Sequence, residues 1–245
     1  MKFVITGGAG FIGSHIAKHL VEKNHDVVIV DNLSRGRLEN LSKIKEKIEF
    51  KKIDILNFDS LKVIISDSDG IFHQAALTSV PESFTQKEKY HNVNVKGTEN
   101  IFKIAKEFKK KVVYASSSSI YGNTTTIPIQ ENFQRNPINP YGITKLDDEI
   151  LAEKYHNLGV SIIGLRYFNV YGIGQTIDYA GVITKFIDQI NLNKSPIIFG
   201  DGNHTRDFIS VEDIAKANLL SMESNVNFSF LNIGTGISTS IKTLA

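Results

Sequence analysis

The sequence predicts an α/β protein built on a doubly wound parallel sheet. Short runs of β-branched residues alternate along the chain with longer segments of helical periodicity. Several of these runs, such as VVIV at 27–30 and KVVYA at 111–115, are apolar on both faces, which is typical of strands covered by helices on both sides. Regular alternation of strand and helix favours parallel pairing, because consecutive strands are then joined by helical crossovers.

The elements can be placed in order along the chain. Strands are predicted at Lys2–Thr6, Asp26–Asp31, Ile48–Lys52, Gly70–His73, Lys111–Ala115, Ser161–Arg166 and Phe230–Ile233. Helices are predicted at Gly13–Lys23, Ser60–Ser66, Val93–Lys109, Tyr141–Asn157 and Val211–Glu223, the last with Ser210 as its N-cap. Residues 122–140 and 167–205 show no clear periodicity, and we expect both to contribute binding loops at the carboxyl ends of the strands.

Composition excludes several classes of protein. The chain has 245 residues, a net charge of +2 and no cysteine, which excludes a disulfide framework, a thiolate zinc site, an iron–sulfur cluster and a cysteine nucleophile. A charge this near zero does not suit a nucleic-acid clamp. No apolar run is long enough to span a membrane, and the N-terminus lacks the apolar core of a signal peptide. We therefore expect a cytoplasmic protein with no metal and no membrane or nucleic-acid partner.

A glycine-rich turn follows the first predicted strand and opens the first predicted helix. Gly8, Gly10 and Gly13 satisfy G-x-G-x-x-G, and Gly7, Gly10 and Gly13 satisfy G-x-x-G-x-x-G. Glycines at this spacing allow a tight turn and close approach of the backbone to a pyrophosphate, which the N-terminus of the helix then attracts. The turn indicates a dinucleotide site of the Rossmann type.

An acidic residue, Asp31, ends the second predicted strand and complements the glycine turn. Asp31 lies near the spacing at which a carboxylate accepts the hydroxyl groups of the adenosine ribose. Because a carboxylate there repels a 2′-phosphate, we expect NAD rather than NADP. Arg35 and Arg37 follow closely and weaken that preference, since either could attract the phosphate.

A tyrosine and a lysine lie one helical turn apart, at Tyr141 and Lys145. Free tyrosine, with a pKa of about 10, is a poor base at neutral pH, but a nearby ammonium group favours the phenolate. Alone, this spacing is common on exposed helix faces. The pair follows the strand KVVYA and the serine run 116–119, where a hydroxyl group could relay a proton to or from a substrate, and we therefore interpret the pair as catalytic.

Together these segments resemble the extended short-chain dehydrogenase/reductase superfamily, and within it the NAD-dependent nucleotide-sugar 4-epimerases of the UDP-glucose/UDP-galactose kind. The resemblance covers nearly the whole chain and rests on TGGAGFIG at 6–13, IVDNLSRG at 29–36, HQAA at 73–76, YASSSSIYG at 114–122, PYGITK at 140–145, LRYFNVYG at 165–172 and GDGNHTRDFI at 200–209.

The resemblance implies a role for each matching position. Tyr141 is the acid–base, Lys145 lowers the pKa of its phenol and binds the nicotinamide ribose, and Ser117 is the catalytic serine. The remaining implied cofactor contacts are Gly7, Gly10, Phe11, Ile12, Gly13, Asp31, Asn32, Asp54, Ile55, Gln74, Ala75, Ala76, Thr78, Asn94 and Phe168. The implied substrate contacts, besides Ser117, are Asn169, Val182, Ile198, Phe199 and Arg206. An ion pair of Arg206 with Asp201 or Asp207 is the structural alternative for that residue.

The implied reaction is inversion at C4 of a UDP-hexose through a transient 4-keto sugar, with NAD regenerated in each turnover. Glucose, N-acetylglucosamine and glucuronate all remain open as the sugar. A 4,6-dehydratase would need an Asp-Glu pair after the strand end and a UDP-glucuronate decarboxylase a Glu, whereas Ser118 and Ser119 stand there. A non-catalytic NAD- or nucleotide-sugar-binding protein is the alternative from another class.

The resemblance also bears on domains and assembly. We expect residues 1–166 to form the NAD-binding Rossmann domain, and residues 167–245 a small, truncated C-terminal substrate domain interleaved with the last strands of the sheet. In the family several dozen more residues follow and complete the sugar-nucleotide pocket. We also expect a homodimer through a four-helix bundle, with apolar or amphipathic positions at Ile101, Ile104, Ala105, Phe108, Ile150, Leu151, Lys154 and Tyr155.

Three histidines are expected to be structural. His15 and His19 are four residues apart on one helix, where a packing or surface role is expected rather than metal binding. His73 ends a buried strand, and we expect it to be packed and hydrogen-bonded.

Overall fold

The computed structural model describes residues 1–124, 126–175 and 181–245. Within these ranges, seven parallel strands form the central sheet: β1 (Lys2–Thr6), β2 (Asp26–Val30), β3 (Ile48–Lys51), β4 (Gly70–His73), β5 (Lys111–Ser117), β6 (Ile162–Tyr167) and β10 (Phe228–Ile233). Their spatial order is β10-β6-β5-β4-β1-β2-β3. The chain therefore winds outward from β1 in both directions, and the predicted doubly wound parallel sheet is confirmed.

The helices and short strands complete the architecture. The helices are α1 (Phe11–Glu22), α2 (Phe58–Ser66), α3 (Val80–Thr85), α4 (Lys87–Tyr90), α5 (Gly97–Phe108), α6 (Pro140–Asn157), α7 (Val182–Asn191), α8 (Val211–Glu223) and α9 (Ile241–Leu244). Outside the main sheet, β7 (Asn169–Tyr171) pairs with β9 (Phe208–Ser210), and β8 (Thr205–Arg206) pairs with β11 (Thr239–Ser240). These short pairs surround the carboxyl edge of the sheet.

The sheet separates two hydrophobic clusters. On one face, Ile16 and Leu20 of α1 and Ile214 of α8 pack against strand residues such as Ile5. On the other, residues of α2, α5 and α6, among them Phe102, pack against residues such as Val4. Adjacent residues of β1 thus enter different clusters, because successive side chains of a strand point to opposite faces. The continuous apolar runs of the sequence follow from this double burial.

Several element bounds differ from the sequence expectation. The second strand ends at Val30, so Asp31 follows it, and the first helix begins at Phe11 rather than Gly13. The fifth strand extends to Ser117, and β10 begins at Phe228. The predicted helix Val93–Lys109 is an α-helix only from Gly97 onward, because residues 91–96 form a π-helical turn before α5. Periodicity alone does not distinguish such a turn from regular helix.

Secondary structure was also missed in one of the two aperiodic regions, residues 167–205. Residues 182–191 form the helix α7, whose apolar residues recur at helical spacing although only Phe186 is buried. Residues 123–139 lack helix and strand where the structure describes them, as expected of a binding loop.

The apolar positions expected at a dimer interface divide between two sides of their helices. Ile101, Ile104, Ala105 and Tyr155 are buried against the protein's own sheet. Ile150 is 51% exposed on α6, and Ile143, seven residues earlier on the same helix, is 47% exposed. The face assignment made from helical spacing is therefore wrong for the buried four, because a helix on an α/β sheet uses its most apolar stripe for the core.

Candidate functional site

The glycine turn joins β1 to α1 beneath an open cleft. Gly7 adopts a left-handed conformation (φ +67°), and a Cβ added there would lie 2.7 Å from the backbone of Ala75. Gly10 is the N-cap of α1 and provides no side-chain hydrogen bond, and the first helical turn holds no acid. The N–H groups and positive end of α1 therefore face the cleft with no acid in the helix's own first turn, which suits a pyrophosphate.

Asp31 lies at the far end of this cleft, with only 7% of its surface exposed. Its carboxylate accepts hydrogen bonds from the backbone N–H of Ala9 (3.0 Å) and of Leu33 (2.8 Å), one on each oxygen. Burial raises the pKa of Asp31, and these two hydrogen bonds oppose that effect. Each oxygen keeps a lone pair that can accept a ribose hydroxyl group.

The floor beside Asp31 is shaped for a ribose and a base. A Cβ at Gly36 would lie 2.7 Å from both carboxylate oxygens of Asp31, so a larger residue would displace the acid. The Asn32 amide donates to Asp54 (2.7 Å), and Ile55 lies beside it in the wall. The turn, α1 and Asp31 together fit a dinucleotide.

A second, larger cleft adjoins the first and shares Gly7, Gly10 and Gln74 with it. Its empty volume is about 1350 Å³. The candidate catalytic residues Ser117, Tyr141 and Lys145 all line this cleft, as does Phe168. The structure therefore brings Ser117 and Phe168, each more than twenty positions away in the sequence, together with the pair Tyr141 and Lys145.

Tyr141 is held at the start of α6 by hydrogen bonds to the backbone. The Asn139 side chain caps the helix by accepting from the N–H of Gly142 (2.8 Å). The hydroxyl group of Ser83 accepts from the N–H of Tyr141 itself (3.2 Å). Both contacts fix the first turn of α6, from which the phenol projects.

Lys145 lies one turn further along α6 and is almost completely buried. Its ammonium group is 3.1 Å from a carboxylate oxygen of Asp148, whose side chain is fully buried. Burial raises the pKa of Asp148 to about 6, and Lys145 opposes that shift. The ion pair keeps the ammonium group in a fixed place one turn from Tyr141.

The serines at the end of β5 have different hydrogen-bond partners. Ser117 has its hydroxyl group at the cleft, where it accepts from the N–H of Ser119 (3.1 Å). Ser116 instead donates to Glu149 (2.7 Å). Ser117 and Ser116 both line the cleft, but the Ser116 hydroxyl group is already engaged by a buried carboxylate.

A third cleft shares Phe168 with the second and leads away from it. Asn169 and Arg206 line it, opposite residues of the 122–139 loop. Arg206 is exposed and donates to the carbonyl of Thr205 (2.7 Å). Asp207 instead accepts from the backbone N–H groups of Thr235 (2.9 Å) and Gly236 (2.8 Å).

The other predicted substrate residues lie apart from these lining residues. Val182 is the first residue of α7 and is half-buried. Phe199 is 81% exposed, and Ile198 lies near Gly202, whose added Cβ would be 3.0 Å from it. None of the three lines a described cleft.

Asn94, a predicted cofactor contact, is fully buried behind the cleft wall. Its amide donates to the carbonyl of Leu77 (3.0 Å) and to the hydroxyl group of Thr144 (3.0 Å), and it accepts from the N–H of Leu77 (2.8 Å). All the other predicted cofactor positions line the first or the second cleft. They are Gly7, Gly10, Phe11, Ile12, Gly13, Asp31, Asn32, Asp54, Ile55, Gln74, Ala75, Ala76, Thr78, Tyr141, Lys145 and Phe168.

Sequence reasoning missed Glu82 as a cleft residue. It lines the second cleft and forms an ion pair with Arg35, 2.6 Å between Nη2 and Oε2. The two residues are forty-seven positions apart, and nothing local in either segment indicates their contact.

The histidine expectations agree with the structure. His15 and His19 both contact the carboxylate of Glu212, at 2.8 and 2.6 Å. His73 is buried between the hydroxyl groups of Thr6 and Thr98.

Fold and site together define a dinucleotide-dependent enzyme of the short-chain dehydrogenase type. The family model described as the NAD dependent epimerase/dehydratase family matches residues 3–234. The chain belongs to this family, and its cofactor is NAD, as the glycine turn and Asp31 predicted.

Two solved structures that the chain resembles are sugar-nucleotide epimerases. A UDP-N-acetylglucosamine 4-epimerase from Methanobrevibacter ruminantium, in complex with UDP-N-acetylmuramic acid, is 41% identical, with a TM-score of 0.95 over 99% of this chain and 79% of that chain. A UDP-glucose 4-epimerase from Thermotoga maritima, with UDP-glucose, is 34% identical, with a TM-score of 0.93 over 100% of this chain and 80% of that chain.

A relative with a different activity is also similar. A UDP-N-acetyl-alpha-D-glucosaminuronate decarboxylase from Bacillus cytotoxicus is 36% identical over 251 residues, which cover 100% of this chain and 78% of that relative. Separately, none of the helices in the described residues combines the length and apolarity needed to cross a membrane.

Proposed function

We propose that this protein inverts the C4 centre of a UDP-hexose, with Tyr141 as the acid–base, Lys145 as its electrostatic partner and Ser117 as a proton-transfer helper. The observation that carries the proposal is the convergence of these three side chains on one cleft that adjoins the dinucleotide turn. A protein that only bound NAD or a nucleotide sugar would have no use for a phenol beside a buried ammonium group.

The chain's own residues account for the proton transfers. When bound, the nicotinamide supplies the acceptance and return of a hydride at the sugar carbon. Tyr141 takes the proton of the 4′-hydroxyl group and later returns it, so one residue serves as base and then as acid. Lys145 places a positive charge one helical turn away from Tyr141. The Ser117 hydroxyl group can donate to the same sugar oxygen.

Two alternative activities require an acid after the strand end. In a 4,6-dehydratase or a UDP-glucuronate decarboxylase of this superfamily, the acid would follow the position of Ser117. Ser118 and Ser119 occupy those positions here, and both line the third cleft. Serine cannot perform the proton abstraction or carboxylate chemistry of an acid at neutral pH, so the epimerase is favoured.

The third cleft is proposed to hold the uridine diphosphate. Arg206 supports this assignment, because a guanidinium group binds a diphosphate with charge-assisted hydrogen bonds. In the described residues its recorded partner is a carbonyl rather than a carboxylate, so its charge is available to an anion. We propose that residues 167–245 supply one wall of this half of the site, opposite Ser118, Ser119 and the 122–139 loop, and that residues 1–166 supply most of the cofactor half.

The helices α5 and α6 are the proposed surface of self-association. We infer a homodimer in which α5 and α6 of two copies form a four-helix bundle. Ile143 and Ile150 support this inference, since two half-exposed isoleucines seven residues apart give α6 an outward apolar stripe.

The experiment is an epimerase assay with UDP-glucose, UDP-N-acetylglucosamine and UDP-glucuronate. Tyr141→Phe should abolish turnover while leaving the binding of NAD and UDP-sugar nearly unchanged, because it removes a proton acceptor and no binding group. Ser117→Ala should cost on the order of 10²-fold in kcat. Lys145→Ala should weaken NAD binding and also shift the rising limb of the pH–rate profile upward.

Tyr171→Phe is the matched control, because it makes the same chemical change at a residue that lines none of the three clefts. If Tyr141→Phe retained more than a few per cent of the parent rate, Tyr141 would not be the base.

A further inference from the structure

An ion pair crosses the boundary between the two cofactor clefts. Arg35, in the loop after β2, places Nη2 2.8 Å and 2.6 Å from the two carboxylate oxygens of Glu82, in the first turn of α3. The side chains are 31% and 20% exposed, so the pair is partly removed from water. Such a pair is stronger than one on an open surface, because solvent screens it less.

Arg35 borders the adenosine end of the site. It lines the first cleft together with Asp31, Asn32 and Gly36, and it also lines the second. An arginine near the adenosine ribose is the residue type that accommodates the 2′-phosphate of NADP, whereas a carboxylate there accepts the ribose hydroxyl groups of NAD. The site therefore contains one residue of each kind, four positions apart.

The Glu82 carboxylate is held in place by neighbours that donate to it. The amide of Gln86 donates to Oε1 (2.9 Å). The hydroxyl group of Tyr90 lies 3.1 Å from Oε2 and 2.8 Å from the carbonyl oxygen of Ser79, and its proton is shared between these two acceptors. Burial, followed by the hydrogen bond to Glu82, raises the pKa of Tyr90 to about 12, so the phenol keeps its proton and remains a donor. The hydroxyl group of Ser79 caps the backbone at Glu82. These contacts fix the carboxylate that meets Arg35.

We propose that Glu82 is a cofactor-specificity residue: by engaging the guanidinium group of Arg35, it keeps that charge from the 2′-phosphate of NADP and so preserves the preference for NAD set by Asp31. Asp31 and this ion pair both disfavour NADP. Asp31 repels the 2′-phosphate, and the ion pair occupies Arg35, the residue that would otherwise bind the phosphate.

The inference rests on the family's use of NAD and not on the sugar reaction. It is tested by binding alone, on cofactor-free protein without any UDP-sugar, so its failure and the failure of the proposed epimerisation are distinguishable. Isothermal titration with NAD and with NADP gives the affinity ratio for each variant.

Glu82→Gln removes the negative charge and keeps the shape of the side chain. We expect NADP affinity to rise by about ten-fold, the scale of one charge-assisted hydrogen bond, and NAD affinity to change by less than about three-fold, within the range of a neutral contact. The gain should disappear in the double variant Glu82→Gln/Arg35→Ala. No gain in the single variant, or a gain that survives without Arg35, would overturn the proposal.

Two further variants separate charge from packing. Tyr90→Phe removes a hydrogen bond to the same carboxylate but leaves its charge, so NADP affinity should stay at the parent value. An increase equal to that of Glu82→Gln would mean that loosening of α3, and not the charge, is responsible. Arg35→Ala alone should also leave NADP affinity near the parent value, because its guanidinium group is already engaged. A ten-fold loss there would show that Arg35 binds the phosphate despite Glu82.

Discussion

His73 should make the folded protein sensitive to acid in a way that one substitution can isolate. Its ring lies with Nδ1 2.6 Å from the hydroxyl group of Thr6 and Nε2 2.8 Å from that of Thr98. Burial, and to a smaller extent the charge of Lys145, lower the pKa of His73 from 6.5 to about 3. The folded protein therefore holds this imidazole neutral throughout the range in which the unfolded chain protonates it.

The sign and size of the effect follow from that difference. Between pH 6.5 and about 3 the unfolded state binds a proton at this position that the folded state does not, so stability falls as the pH falls. With respect to this group, the free energy of unfolding is constant above pH 6.5, the pKa in the unfolded chain, and decreases progressively as the pH falls below that value. With ~1.4 kcal/mol for each pH unit, the loss between pH 7 and pH 5 is about 2 kcal/mol.

Urea unfolding of the parent and of His73→Gln at pH 7 and pH 5 measures this loss. The variant is expected to be less stable than the parent at pH 7, because it disturbs a buried hydrogen-bonded site. The difference should narrow by about 2 kcal/mol at pH 5, because only the parent carries the buried imidazole. His204→Gln makes the same change at an exposed position and serves as the control. An equal difference at both pH values would refute the reasoning.

The remaining predictions concern a buried ion pair and the assembly. In the parent protein, the buried guanidinium group of Arg166 lies 2.8 Å from each carboxylate oxygen of Glu149. Glu149→Gln should lower the free energy of unfolding by ~3–5 kcal/mol, as measured by urea unfolding, because it leaves this guanidinium group without its counter-charge. Light scattering at micromolar concentration should give a dimer for the parent and a monomer for Ile150→Lys, with the exposed Val63→Lys on α2 as control. A parent that is only monomeric would contradict the bundle.

The strands of the sheet could be predicted closely because their information is local. β1 and β4 have the predicted bounds, since each is a short apolar run that ends in a turn or a polar residue. The helix α7 was missed although its apolar residues at 182, 183, 186, 187 and 190 recur at helical spacing. The signal is confined to ten residues that lie between stretches without periodicity, and Ile187 and Ile190 are exposed rather than packed in the core.

The site shows the same division between local and long-range information. Gly10, Asp31 and Tyr141 are indicated by motifs whose chemistry is contained within a few residues. Glu82 and Arg35 are not, because an ion pair between a loop and a distant helix depends on how the whole sheet brings them together. Asn94 illustrates a third case, in which a motif position is present but the π-helical turn directs its amide into the protein rather than to the cleft.

The buried polar side chains behind the cleft explain how Tyr141 is kept in place. Asn94 joins the loop after β4 to α6, since it bonds both to Leu77 and to Thr144, whose own hydroxyl group donates to the carbonyl of Tyr141 (2.7 Å). Ser83 holds the N–H of the same tyrosine from α3. Each of these groups would cost free energy if buried without a partner, but all are hydrogen-bonded here. The backbone N–H and carbonyl groups of Tyr141 are thus both hydrogen-bonded to side chains, the first from α3 and the second from α6 itself, which fixes the backbone of this residue before any ligand arrives. A base held in this way needs little reorganisation when the proton moves, and this is the condition under which a single tyrosine can serve both faces of the sugar.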